Sequence, residues 1–504
     1  MDVNASFWDC LFVGLGGFLL SLAAEFTVRP KTSASRPWQA WGMQFALWGM
    51  LFSPLVALTG RPWCSACFCL SFLAILIFVN KAKFHSMREP LLFHDYDYFL
   101  DVLRFPRLFL PFLGIRAFLL CALAVILAII ALWLEPVAPS RWSLRGQAGA
   151  NLILFLSSLA CFLLAKKYSP KLAHSPVADL YKLGFLPFLA FYGAEWSKKD
   201  FPAPPLPPWP GLNCEQHPFL VAIQSESFFN ARQCWPDINK EIYADIDLFI
   251  SEAFLHGQML TPAWGANTER SEFSFLSGIS PARLGIGRFN PYRMLACGWR
   301  IAALPAHMRS LGYRTICIHP YIGSFYGRDL ILPMLGFDEF LEISHFRESD
   351  RRGPYIGDEA IADMIIEIQR GAKSPTFIFA ITMENHGPLH LEKAPEASAN
   401  QKIFTRQAPE SCEELGIYLR HVRNGGKMLA KLHKFWSSFR MPVSLCFYGD
   451  HVPIMPQVWS KLGQPKGDVP YFCWSNKKSA DSCETLLASS HLSAAWLNCL
   501  QAEK

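Results

Sequence analysis

Five long apolar runs in the first third of the chain constrain its fold more than any other feature. They lie at residues 7–26, 38–59, 62–79, 117–134 and 148–164. Each comes close to the roughly 18–20 residues that an α-helix needs to cross a bilayer. A single run of this kind could be a core helix of a soluble domain. Five in succession predict a helical transmembrane bundle. The first run has no basic segment before it and no small-residue cleavage site after it, so it is expected to stay in the membrane rather than act as a signal peptide.

With 504 residues, the chain exceeds one ordinary domain. The apolar block gives way to a proline-dense stretch, Phe201-Pro202-Ala203-Pro204-Pro205-Leu206-Pro207-Pro208-Trp209-Pro210. Such a stretch favours a stiff polyproline II spacer and marks a boundary. The predicted parts are a transmembrane domain at 1–170, an interfacial segment and linker at 171–211, and a second domain at 212–504. Residues 81–116 and 177–196 mix charge with aromatic and apolar side chains and are expected to form interfacial or re-entrant segments.

The net charge of +6 is spread along the chain without a basic block, which gives no footprint for nucleic acid. Fifteen cysteines are present. Cys64, Cys67 and Cys69 form C-x-x-C-x-C inside an apolar run, where cysteine behaves as a small hydrophobe. Nine more follow residue 164, and their pairing is expected only if that half faces an oxidising compartment.

Beyond the proline stretch the pattern becomes α/β. Residues 219–223, 315–318, 376–381 and 443–447 are short, apolar and partly β-branched, as buried strands are. Helical patterns at 358–369 and 415–435 lie between them. Alternating strands and helices predict a mostly parallel sheet covered on both faces. Three of the strands run into polar residues at their C-terminal ends: Glu226, His386 and the pair Asp450-His451. That edge is where open α/β sheets bind ligands.

The chemistry of these residues is specific as a set. Glu226, Asp450 and His451 offer two hard oxygens and an imidazole nitrogen to a divalent cation. Thr268 follows a turn-like stretch with Pro262, Gly265 and Asn267, ahead of a helix expected to start near Ser271. A helix N-cap would suit it. The same position suits a nucleophile, because the helix N-terminus favours a bound phosphate and a metal would lower the hydroxyl pKa. His386 could hold a phosphoryl oxygen or protonate a leaving alkoxide, or it could simply pack in its loop. Arg328 either grips a phosphate or makes a surface pair with Asp329.

The order of motifs is Glu226-Ser227-Phe228, then Thr268-Glu269-Arg270-Ser271-Glu272-Phe273, then Phe325-Tyr326-Gly327-Arg328-Asp329. Asn385-His386-Gly387-Pro388 and Gly449-Asp450-His451 complete it. This order resembles the lipoteichoic acid synthase family, which includes phosphoglycerol transferases that decorate glucans. The resemblance implies about five membrane helices followed by an extracytoplasmic α/β domain of the alkaline-phosphatase/sulfatase fold. It further implies one divalent metal, Mn²⁺ or Mg²⁺ with Zn²⁺ as a third choice, held by Glu226, Thr268, Asp450 and His451. Thr268 would be the nucleophile, and Arg328, His386 and Tyr326 would contact the phosphoglycerol group. Tyr326 stands where several relatives carry tryptophan, and Gly327 where they carry asparagine. No C-x-P-x-R or S-x-P-x-R surrounds the nucleophile, which argues against a formylglycine sulfatase.

The expected function is transfer of glycerol phosphate from phosphatidylglycerol to a glycan or polyglycerol-phosphate acceptor, at a bacterial cytoplasmic membrane. The alternatives are phosphoethanolamine transfer, and a silent binding or scaffold protein with the same fold. The expected orientation places the second domain outside. The basic residues oppose it: Arg29, Lys31 and Arg36 follow the first span, and Lys81, Lys83 and Arg88 follow the third.

Overall fold

The computed structural model describes residues 3–98, 104, 106–107, 115–135, 141–212, 217–393, 402–406, 409–477 and 482–501. The chain divides into two compact units, Met1–Asp200 and Phe201–Lys504. Of the segment expected at 81–116, residues 81–87 instead continue the helix Pro62–Met87, and 99–115 lies almost wholly outside the described residues.

The first unit holds α1 (Val3–Glu25), α2 (Trp38–Thr59), α3 (Pro62–Met87), α4 (Ile115–Leu134) and α5 (Arg141–Lys167). Four of the five are long and apolar enough to cross a membrane, and α4 contains a shorter apolar stretch at Val125–Leu134. Helices α2 and α5 run antiparallel and close. A Cβ at Gly49 would stand 1.8 Å from Ser158 Oγ, and Gly42 faces Ala165. Small residues permit such approach where no hydrophobic effect drives helices together. Helix α3 continues past the predicted 62–79 because Lys83 is neutralised: its Nζ meets Glu89 at 2.9 Å and Asp95 at 2.7 Å.

Residues 177–196 form two helices, α6 (Pro176–Leu183) and α7 (Phe185–Trp196). Phe185, Phe188, Phe191, Tyr192 and Trp196 are buried. Glu25, at the end of α1, fixes them. Its carboxylate accepts the backbone N–H groups of Phe185 and Leu186 and pairs with buried Arg36. Gly184 is required there: its φ is +83°, and a Cβ would strike the Arg36 guanidinium. One end of the bundle thus gathers the end of α1, the start of α2 and α6–α7. At the other end, Glu135 after α4 caps the N-terminus of α3 through the amides of Trp63 and Cys64.

In the second unit eight strands form one sheet in the order β10-β2-β9-β8-β1-β7-β3-β4. They are β1 (Phe219–Ser225), β2 (Leu255–Leu260), β3 (Arg314–Ile318), β4 (Glu339–Leu341), β7 (Thr376–Ile381), β8 (Val443–Gly449), β9 (Val469–Ser475) and β10 (Cys483–Ala488). A two-residue hairpin, β5–β6 (Arg351–Arg352, Tyr355–Ile356), stands apart. The predicted parallel core is present as β8-β1-β7-β3-β4, buried without polar alternation in β1, β7 and β8, as strands covered on both faces are. Strand β9 pairs antiparallel with both β8 and β2. The helices that bear on the site are α8 (Thr268–Ser277), α9 (Arg328–Leu335), α10 (Asp358–Gly371) and α11 (Glu413–Ser437).

The stretch predicted as one linker, 171–211, is divided between the units. Its proline-rich part packs on the second. Trp299 Nε1 donates to Pro202 O at 2.9 Å, Trp209 Nε1 donates to Ser493 Oγ at 2.9 Å, and His307 Nε2 lies 3.0 Å from Pro210 O. Polyproline geometry leaves carbonyls unpaired along the chain, so neighbouring indoles and imidazoles can take them.

Candidate active site

Strand register builds the site. Ser225 pairs with Gly449 across the parallel strands β1 and β8, so the next residues, Glu226 and Asp450, emerge side by side at the C-terminal edge. His451 follows. Suitable ligand atoms of Glu226, Asp450 and His451 lie within 4.8 Å of one another, and all three residues are buried. His451 Nε2 stands 3.3 Å from Asp450 Oδ2 and 3.6 Å from Glu226 Oε1. Thr268 Oγ1 lies 3.3 Å from the same nitrogen. The four residues assigned as ligands from sequence therefore converge on one point.

Thr268 is the first residue of α8, and Asn267, at φ +62°, is its cap without a side-chain cap bond. The helix begins three residues earlier than the sequence suggested, and Thr268 is not the cap. Its hydroxyl sits where the first amides of α8 have no helical partner, a position that favours phosphate oxygens. Ser271 ties α8 to the β8 edge by donating its Oγ hydrogen to Asp450 O at 2.7 Å.

Ser227 orders the two carboxylates. Its amide donates to Asp450 Oδ1 at 2.7 Å and its hydroxyl donates to Glu226 Oε1 at 2.8 Å. It does so at φ +51°, a conformation costly for a residue with a Cβ. Its carbonyl is held in turn by Tyr418 Oη at 3.0 Å and Asn385 Nδ2 at 3.4 Å.

Burial, then the nearby Asp450 charge, pushes the Glu226 carboxyl up to about 8. Asp450 Oδ2 has no hydrogen-bond donor. Anionic oxygens crowded in a buried place, one without a donor, fit a hard divalent cation. Among the described residues this is the one group of three or more such ligands. Cys64, Cys67 and Cys69 do not form another, and the described cysteines are thiols.

Arg328 is 1% exposed and makes no surface pair with Asp329. Its Nη2 meets Glu272 Oε2 at 2.8 Å, and its Nε reaches both carboxylate oxygens at 3.2 Å. Tyr292 also donates to Glu272. The ring of Tyr326, at φ +59°, lies 5.1 Å from the guanidinium. On its other side Arg328 Nη1 stands 3.3 Å from His319 Nε2. Burial, followed by the Arg328 charge, holds His319 well below the usual histidine range. The sequence reading missed His319, although it directly follows β3 and so obeys the strand-end rule that found Glu226, His386 and Asp450.

His386 Nδ1 lies 2.7 Å from Gly387 O and 3.5 Å from Tyr355 Oη. Burial lowers its pKa. The neutral ring donates from Nδ1 to the carbonyl, which leaves Nε2 as the acceptor nitrogen. The loop bearing His386 is fixed by Glu384, which accepts from the Asp358 amide at 2.8 Å and from Asn424 Nδ2.

Fold and site together define a sulfatase-like α/β domain that follows a set of apolar helices. The chain belongs to the sulfatase family, whose model, described as Sulfatase, matches residues 218–502. It is 26% identical over 440 residues to the capsular polysaccharide biosynthesis protein RkpI of Rhizobium meliloti, covering 83% of this chain and 79% of that one. It is 26% identical over 187 residues to lipoteichoic acid synthase 1 of Bacillus subtilis, covering 34% of this chain and 27% of the synthase. The solved lipooligosaccharide phosphoethanolamine transferase A of Neisseria meningitidis superposes with a TM-score of 0.57 at 12% identity. That match covers 98% of this chain and 95% of the transferase, so the likeness in fold spans both units.

Proposed function

We propose that the protein is a membrane-bound phosphoglycerol transferase that moves glycerol phosphate from phosphatidylglycerol to a glycan or polyglycerol-phosphate hydroxyl. The observation that carries the reading is the 3.3 Å approach of Thr268 Oγ1 to His451 Nε2 within the Glu226, Asp450 and His451 group. A divalent cation bound by these four residues, Mn²⁺, Mg²⁺ or Zn²⁺, would supply positive charge that acidifies the hydroxyl and offsets charge on phosphoryl oxygens.

The chain's own residues do the rest. Thr268 Oγ1 attacks phosphorus, the bond to the diacylglycerol oxygen breaks, and the threonine proton ends on diacylglycerol. The phosphoglycerol group then rests on Thr268. An acceptor hydroxyl attacks the same phosphorus, its proton passes to His386 Nε2, and the threonine oxygen leaves and is reprotonated. Arg328 and Tyr326, with His319 behind them, orient the phosphoglycerol group.

The motif order and the match to a lipoteichoic acid synthase support glycerol phosphate as the transferred group. RkpI, by its name a polysaccharide biosynthesis protein, supports a glycan acceptor. The second reading is phosphoethanolamine transfer, favoured by the fold likeness that spans both units. The intact ligand group argues against a silent scaffold. In this proposal the second unit faces outside the cytoplasmic membrane, on the side of such acceptors. Incubation of the full chain with phosphatidylglycerol and phosphatidylethanolamine, each labelled in its headgroup, tests the proposal. Label leaving only the ethanolamine lipid would replace the donor, and no release from either would refute the transferase.

A further inference from the structure

The first unit contains a cavity that the transfer chemistry does not use. It has a volume of about 540 Å³ and lies between the C-terminal half of α2 and the N-terminal half of α5. The antiparallel pairing of α2 and α5 puts it at the end of the bundle away from α6 and α7. Ser53, Gln147, Ala148, Asn151, Leu152 and Phe155 are among its lining residues, and none of the described lining residues is ionisable.

Two of these side chains are built for a ligand. Ser53 and Asn151 are 2% and 9% exposed. Asn151 Nδ2 is spent on Ser53 O at 2.8 Å, while Asn151 Oδ1 and Ser53 Oγ have no hydrogen-bond partner. In an apolar medium an unmet acceptor is costly. The unmet carboxamide oxygen calls for a donor. Phosphate diesters carry only acceptors at their phosphoryl group, and that group cannot satisfy an acceptor oxygen. A hydroxyl supplies the donor and needs no counter-charge.

We infer that this cavity binds a neutral lipid through its free hydroxyl, the class to which diacylglycerol belongs. The hydroxyl donates to Asn151 Oδ1 and can accept from Ser53 Oγ, while Leu152 and Phe155 flank the first methylenes of the chains. The inference does not depend on which headgroup the second unit transfers.

The test uses the full chain in lipid nanodiscs with a photoreactive diacylglycerol, followed by peptide mapping of the adducts. Labelling is expected on residues 53–60 and 144–155, displaced by unlabelled diacylglycerol far better than by phosphatidylglycerol. Asn151→Leu should weaken displacement by about tenfold, as loss of one buried hydrogen bond does. Ala148→Leu narrows the cavity, leaves the Asn151 bond to Ser53 intact and should abolish labelling, so the result survives if the first variant folds poorly. Labelling elsewhere, equal competition by phosphatidylglycerol, or unchanged labelling of Ala148→Leu would overturn the assignment.

Discussion

Arg328 and Glu272 form a fully buried ion pair, 2.8 Å between Nη2 and Oε2, with side chains 1% and 0% exposed. It joins the first turn of α9 to α8, the helix that carries Thr268. The arginine proposed to bind phosphate is therefore positioned by the helix that carries the proposed nucleophile. Removing one partner strands a charge in the interior. Glu272→Ala should cost about 3–5 kcal/mol of stability, read as a drop in urea midpoint. Glu272→Gln should cost less, because it can still accept from Arg328. Equal stability of Glu272→Ala and the parent would show that the pair is not formed.

Thr268→Ala should abolish transfer and leave the melting temperature near that of the parent, since a terminal helix hydroxyl adds little to the core. Thr268→Ser should retain part of the activity. Mass spectrometry of the parent trapped with donor lipid should find the phosphoglycerol adduct on Thr268. Full turnover in the alanine variant would exclude the covalent route.

Ser227→Ala removes the hydroxyl that orients Glu226 but keeps the amide bonded to Asp450. Loss of such a supporting bond costs about 10–100-fold in metal affinity. Chelator competition should show the loss, while circular dichroism should show an unchanged fold. An unaltered dissociation constant would mean that Glu226 is held by other contacts.

The Glu226 carboxyl, raised to about 8 by burial and Asp450, must lose its proton to bind a cation. Metal affinity should therefore rise with pH up to about 8 and then level. The metal-free protein behaves in the opposite sense. The folded state binds more protons than the unfolded one between the ordinary glutamate value and about 8, so its stability should fall as pH rises through that window. Glu269, pushed up to about 7 by burial, acts in the same direction. Isothermal titration and thermal melts at several pH values, with and without metal, would show the two opposite trends.

The membrane orientation carries a conflict that the structure sharpens. Arg29, Lys31 and Arg36 share one end of the bundle with α6–α7, the helices that lead to the second unit. Arg36 is spent on Glu25, and Lys83 on Glu89 and Asp95, which lessens the positive-inside signal at that end. Protease added to intact spheroplasts should cut the second unit if it lies outside. Protection of that unit would reverse the orientation.

Much of this was legible because the signals are local. A buried strand shows as a short apolar run, and the residue after it points to the ligand edge. Glu226, Asp450 and His451 were found in that way. The partners of Arg328 were not, since Glu272 lies 56 positions away and only tertiary packing joins them. Strands β2 and β10 escaped because their residues are partly exposed and mixed in polarity, which blurs the apolar pattern. His319 obeyed the rule but stood outside the motifs that drew attention. The start of α8 was misplaced because Asn267 reaches a left-handed conformation that no glycine announced.

The seating of the proline-rich stretch decides where the protein can be cut. Trp209 is 6% exposed, and the methylenes of Pro208 lie against Gly278 at the end of α8. A fragment begun at residue 212 would strip this cover, bare apolar surface behind α8 and leave the His307 side chain without Pro210 O, while Ser493 would keep only its bond to Phe275 O. A fragment begun at Phe201 would bring its own lid.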